Sequence, residues 1–466
     1  MTVLTNPIFG PAYNYGLLTP KSLERTVMAE LTVDQTRKME TSFASDKKNL
    51  LAQRAAATNG LLKAAEDQFV LARNKNPYST DLTSDGVTNQ KHSGRCWMFA
   101  GLNVLRFLLG KKLNVENFEL SQNFLYFYDK LEKANYFYDK IIASAQADIL
   151  DRKVDALMSE PEGDGGWWQY VVNLVKKYGV LPKTYMPETA NTENSEVMNA
   201  LLNRKLRQDG LRLRELVRGG AFESEVETER SRMLEGINSI VSVSLGVPPR
   251  EFRFQYQDKD KKYHDEGLMT PKDFFDKYIG VDLDDYVALD HYPLEGLLSM
   301  HKHYSNDLAG DMVGAPDPHW INTPVEEMKA VAIKQLQDGE PIWFACDVGQ
   351  DSDRKAGVMA TDLYDMATLV SVDFTMDKGR RVVSHESMAT HAMTLVGVDV
   401  IDGKSVRWKV ENSWGDENGE KGYYVMTDDW FDQFTFEVII NKKYLSEDLV
   451  QLYQTEPEVL PFYFPM

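Results

Sequence analysis

Asn89-Gln90-Lys91-His92-Ser93-Gly94-Arg95-Cys96-Trp97-Met98-Phe99-Ala100 sets a cysteine in the first turn of an apolar helix. Met98, Leu102, Leu105 and Leu109 recur at helical spacing and predict one buried face. Ser93 and Gly94 stand before that helix as capping residues, and Gly110 reads as its stop. A thiol at a helix N-terminus lies beside unpaired N–H groups and the positive end of the macrodipole. Both favour thiolate and predict a pKa below the free value of ~8.5, as a nucleophilic cysteine needs. A free cysteine is as often a small core hydrophobe, and this stretch alone does not choose between the two.

The 466 residues exceed a single small domain and supply a large core. Hydrophobic content of 43% with 26% charged residues is ordinary for a globular chain. The 52 basic residues are outnumbered by 71 acidic ones, giving a formal net charge of −19. Such a surface disfavours nucleic acid and anionic membranes as partners. Two cysteines, Cys96 and Cys346, fit a reducing compartment better than a disulfide framework. Cys346 ends the apolar run Pro341-Ile342-Trp343-Phe344-Ala345 and reads as structural. No apolar run approaches the ~18 residues of a membrane span. No basic-then-apolar leader opens the chain, so a cytoplasmic location is expected.

Residues 1–28 are expected to be an N-terminal extension, either an ordered arm or an upstream leader, since Met28 could be a fresh start. Helices are expected over 31–45, 49–73, 135–160, 169–180 and 193–245, with Ser121 capping another. Residues 193–245 are strongly charged and read as a solvated insertion, with a basic cluster of Arg204, Lys205, Arg207, Arg212, Arg214 and Arg218. Residues 251–322 read as loop-rich. A helix is expected from Thr323, with Glu326 at capping-box spacing, and strands after 341. Gly165-Gly166 before Trp167-Trp168 would let a backbone approach closely, although such a stretch is often only a turn.

Far downstream the pattern alternates with period two. Ala392–Val398 is a strand, Asp402-Gly403 a hairpin turn and Val406–Val410 the return strand. Paired positions then sum to about 805, which sets His391 against the region Asn412–Trp414. An Asn accepting from one imidazole nitrogen fixes the tautomer and leaves the other nitrogen for a thiol. Each feature has a structural explanation alone, but all in one chain form a nucleophile, a base and an orienting group.

Gln90, Ser93-Gly94-Arg95-Cys96-Trp97, Leu120-Ser121-Gln122, Gly165-Gly166, Thr390-His391-Ala392 and Asn412-Ser413-Trp414-Gly415 resemble the papain-type cysteine peptidases. Asn89-Gln90, Glu411 and Gly415-Asp416-Glu417-Asn418-Gly419 are similar to the bleomycin hydrolase/aminopeptidase C branch, as is the long separation of Cys96 from His391. The resemblance covers roughly residues 29–466. It implies an α+β papain-like core with a helical half and a β-barrel-like half. The expected divisions are 29–185 with the nucleophile, an insertion over 186–322, a β-rich half over 323–455 and a C-terminal arm over 456–466. It implies Cys96 as nucleophile, His391 as base and then acid, Asn412 as its orienter, and Gln90 as oxyanion donor. Gly165 and Gly166 would bind substrate main chain, and Trp414 would shield the His391–Asn412 bond. His92 is a rival base by proximity, without a visible orienting partner. The reaction this resemblance implies is hydrolysis of peptides through a thioester, with no cofactor and no metal. The family further implies a hexamer.

The tail ends Leu460-Pro461-Phe462-Tyr463-Phe464-Pro465-Met466. In the family this arm enters the cleft and its carboxylate meets the substrate's α-ammonium, which places Met466 among the substrate-binding residues. The family's few residues beyond this point are missing, so an expectation of internal cleavage stands beside that of N-terminal release. The residues also admit a nucleic-acid-binding protein or a non-catalytic scaffold. The charge opposes the first, and the intact Cys, His, Asn and Gln set opposes the second.

Overall fold

A computed structural model describes residues 30–74, 77–83 and 86–466. The N-terminal extension expected over 1–28 lies outside these residues. The described chain divides into two compact units, one of residues 30–64 with 366–372, the other of residues 65–365 with 373–466. The smaller unit carries the helices Val33–Ser45 and Lys47–Asn59. Thr32 and Gln35 form a capping box at the first of these. Gly60, at φ 81°, ends the second, so the long helix expected to reach residue 73 is broken there.

The larger unit is mixed helix and sheet. The Cys96–Leu113 helix buries Met98, Leu102, Leu105 and Leu109, as the spacing predicts. Full burial of such a side chain contributes about 1.5–3 kcal/mol. Its ends differ from the sequence reading. Arg95 is the N-cap and makes no side-chain cap bond, and the helix runs past Gly110 to a left-handed Asn114. Tertiary burial of Leu113 outweighs the weak stop signal. Thr323 likewise does not cap the Val325–Gln337 helix; its hydroxyl donates to Ile321 O instead.

Among the described residues, twelve strands form one sheet. At its middle, Ile342–Cys346 lies between Thr435–Asn441 and His391–Ile401. The hairpin of His391–Ile401 with Lys404–Glu411 turns at Asp402 and Gly403, both at positive φ, as a two-residue primed turn requires. Residues 251–322, expected as loop, correct that reading. They contain the hairpin Phe252–Gln257 with Tyr263–Met269, and Tyr286–Asp290, Lys302–Asn306 and His319–Asn322 join the large sheet. The charged helix Glu196–Arg218 is also more than a solvated face. Arg207, Arg214 and Arg218 donate to carbonyls of Met158, Ser159, Ser144, Ala145 and Ala147.

Tyr286–Asp290 pairs with Thr435–Asn441 so that Asp290 and Glu437 are cross-strand partners, both buried. Burial pushes the Glu437 carboxyl up to about 8 and lifts Asp290 as well, with Glu437 adding to the second shift and Lys378 opposing it. A carboxyl whose folded pKa is raised stabilises fully below its unfolded value, and that contribution is lost as pH rises through the folded value. Glu437→Gln is therefore expected to match the parent near pH 4.5. It should gain in Tm by several degrees across pH 4.5 to about 8, then stay level, as read by thermal melts at stepped pH.

Candidate active site

Two side-chain bonds lock the Cys96–Leu113 helix onto the sheet. Trp343 Nε1 donates to Trp97 O at 3.0 Å, and Thr394 Oγ1 to Ala100 O at 3.3 Å. Arg106 pairs with Glu411, both buried, one residue before Asn412. These contacts set Cys96 at the mouth of a cavity of about 440 Å³, which is also lined by Gln90, Gly165, Gly166, Trp343 and His391. Six of the eight residues singled out from the sequence thus converge: four face this cavity with Cys96, and Asn412 reaches it through His391.

His391 Nε2 lies 2.9 Å from Asn412 Oδ1, which also accepts the Ser413 N–H at 2.7 Å. That leaves Nδ1 as the nitrogen not engaged by Asn412. Trp414 covers the pair, its ring 4.7 Å from the imidazole. Arg354, not singled out from the sequence, lies 4.3 Å over the other ring partner, Trp414. Nothing local marks it, because sixty residues separate it from the indole. Gln90 is held from both ends of its amide. Its Oε1 accepts from Ser413 Oγ at 2.7 Å and its Nε2 donates to Ser93 O at 2.6 Å. Left-handed Lys91, at φ 54°, makes the turn that folds this amide back. The second Nε2 hydrogen is free for the cavity.

Gly165 has open space where a Cβ would stand, whereas a Cβ on Gly166 would meet the Trp97 ring at 2.5 Å. Met466 does not line the thiol cavity; it packs, partly buried, against the larger hydrophobic core. The tail instead reaches a neighbouring cavity through Phe462, which shares Gly165 and Trp167 with the thiol cavity. His92 is exposed, and its backbone N–H is spent on Glu193 O. Among the described residues no group of three His, Cys, Asp or Glu could hold a metal ion.

The electrostatics revise one expectation. Burial pushes the Cys96 thiol up from its ordinary range, and the N–H groups of Ala392, Trp97 and Cys96 offset this only in part. The helix terminus does act on the sulfur, but desolvation of the thiolate wins. Burial also pushes His391 down to about 4, against the Asn412 bond and with the Arg354 cation adding to the shift. The resting pair at neutral pH is a thiol beside a neutral imidazole able to accept its proton.

A match to the Peptidase C1-like family extends over residues 30–466. The chain belongs to that family. This peptidase is 42% identical over 440 residues to an aminopeptidase C of Streptococcus thermophilus, covering 94% of this chain and 99% of the relative. It is 42% identical to an aminopeptidase G of Lactobacillus delbrueckii subsp. lactis, covering 93% and 98%. The crystal structure of PepW from Lactobacillus rhamnosis superposes with a TM-score of 0.93 at 41% identity, covering 94% of this chain and 99% of that one. The papain-like, aminopeptidase C-type resemblance read from the motifs is thereby met. Among the described residues of the peptidase, no helix is long and apolar enough to cross a membrane.

Exposing His391 tests the burial argument. Trp414→Ala admits water, which stabilises the imidazolium and raises its pKa toward the ordinary ~6.5. The acid limb of kcat/KM is expected to move from about 4 up toward that value, as read from a pH–rate profile. An unmoved limb would show that the indole does not set it.

Proposed function

We propose that this peptidase releases N-terminal residues from peptides by acyl transfer through Cys96. The observation that carries the reading is the His391–Asn412 bond beside the Cys96 cavity, with the tail entering the adjoining one. His391 takes the thiol proton as sulfur adds to the scissile carbonyl carbon. The resulting oxyanion is held by the Gln90 amide and the Cys96 backbone N–H, a first-turn donor with no intrahelical acceptor. The C–N bond then breaks, imidazolium protonates the leaving amine, and a thioester remains. Water, deprotonated by His391, hydrolyses it and returns the thiol. Asn412 holds the imidazole in the tautomer and orientation this needs, and Trp414 keeps water from their bond.

The two-half papain arrangement supports this division of labour, with the nucleophile on the helical half, 29–185, and the base on the β-rich half, 323–455. Residues 186–322 carry the insertion, although their strands 286–290, 302–306 and 319–322 belong to the sheet of the β-rich half, and 456–466 are the arm. By family resemblance the enzyme works in the cytoplasm as a homohexamer; a monomer by light scattering would reject the assembly. Tetra-alanine with a free amine is expected to be cut one residue at a time from its N-terminus, and N-acetyl tetra-alanine to be inert. Cleavage of the acetylated peptide at internal bonds would replace this reading with an oligo-endopeptidase on the same core.

A further inference from the structure

Six donors converge on one residue that the mechanism above does not use. Asp164 Oδ2 accepts the Gly94 N–H at 2.9 Å and the Ser195 hydroxyl. Its Oδ1 accepts from Tyr126 OH at 2.6 Å, Lys130 Nζ at 2.8 Å and Asn199 Nδ2 at 2.7 Å. Its backbone carbonyl accepts from Trp97 Nε1 at 2.7 Å. Gly94 and Trp97 flank Cys96 two residues before and one after, and Gly165-Gly166 follow Asp164 directly. A Cβ on Gly94 would stand 2.7 Å from Asp164 Cβ, so the two backbones are in close approach. The next segments are pinned too. Lys133 Nζ donates to Gly163 O at 3.0 Å and Gly165 O at 2.7 Å, and Lys130, fully buried, pairs with Glu162.

We infer that Asp164 is a positioning residue for the peptidase reaction, fixing the Gly165-Gly166 wall of the cleft at a set distance from the Cys96 turn. The inference rests on the function proposed above. An acceptor-only side chain is required, because every partner of the carboxylate donates. Asparagine is nearly isosteric but would point an N–H₂ at one of those donors. Burial alone would raise the Asp164 pKa, yet Lys130, Ser195 and Tyr126 overcome it and hold the carboxyl well below the usual range. The carboxylate is thus charged whenever the enzyme works. The thiol–imidazole pair makes no bond to Asp164 and feels it only through its charge, the weakest of the influences that set the Cys96 pKa. That pair is fixed separately by Trp343 on Trp97 O, Thr394 on Ala100 O and the His391–Asn412 bond.

The two roles separate in one experiment. A small alkylating reagent needs the thiol and imidazole but not the cleft wall; a peptide needs both. Asp164→Asn is expected to lower kcat/KM for tetra-alanine by about 10²-fold, the scale of an ångström misplacement, while iodoacetamide inactivates it within about threefold of the parent rate. Peptide turnover at the parent level, or turnover and alkylation falling by one common factor, would overturn the inference. If Asp164→Asn does not fold, the Ser195→Ala/Asn199→Ala pair keeps the carboxylate, Lys130 and Gly94 in place. It is expected to lose about tenfold in peptide turnover with alkylation unchanged, and equal losses, or none, would again overturn it. A parent enzyme that cleaves no peptide at all would reject the proposed function and not this placement.

Discussion

Cys96→Ala is expected to lower kcat/KM for tetra-alanine by about 10⁶-fold, the scale on which a peptidase loses its nucleophile. The chain offers no substitute. Cys346 is the second cysteine, and it is fully buried in the Ile342–Cys346 strand with its thiol pushed far up by burial. The variant should fold as the parent does, because the helix is held by Met98, Leu102, Leu105, Leu109 and the Trp343–Trp97 bond, none of which involves the sulfur. Matching thermal melts with abolished turnover is the expected pair of results. Cys96→Ser should be almost as inactive, since a hydroxyl at its free pKa is a weak nucleophile and the site desolvates the anion further. Turnover above about 1% of the parent in Cys96→Ala would place the chemistry outside this cleft, because removal of a true nucleophile leaves far less.

What the sequence disclosed was what local rules govern. Asp402-Gly403 specifies a primed turn by its own backbone chemistry, and the register of that turn carried His391 to Asn412 across twenty-one positions. The face of Met98, Leu102, Leu105 and Leu109 followed from a period. What stayed hidden depended on distant partners. Tyr286–Asp290 is buried along its whole length and paired on both edges, by strands 319–322 and 435–441, so it shows no alternation, and its turn-rich neighbours masked it. Asp164 sits in a glycine turn that looks like any other; its donors come from positions 94, 97, 126, 130, 195 and 199. The pKa of Cys96 was misread for the same reason. The helix start is visible in the sequence, whereas the burial that outweighs it arises only when the folded chain closes around the sulfur.

That raised thiol pKa fixes what removing the base should do. With His391 gone, Cys96 keeps its proton at neutral pH, and no positioned group takes it during attack. His391→Ala is therefore expected to lose about as much as Cys96→Ala, and the double variant no more than either alone, because nucleophile and base act as one unit. A simple sum of two losses would mean that they act independently. The base's absence also predicts a pH signature. Below the thiol's raised pKa the thiolate fraction grows about tenfold per pH unit, so residual turnover by His391→Ala should climb with that slope into alkaline solution, where hydroxide does the base's work. The parent, with its imidazole neutral above about 4, should show no such climb. His92→Ala supplies the control. Its imidazole is exposed and its main chain is tied to Glu193, so turnover should stay within about twofold of the parent, as for a surface substitution away from the chemistry. Loss of turnover in His92→Ala with retention in His391→Ala would move the base into the 90–93 loop, and the role of Asn412 would fall with it.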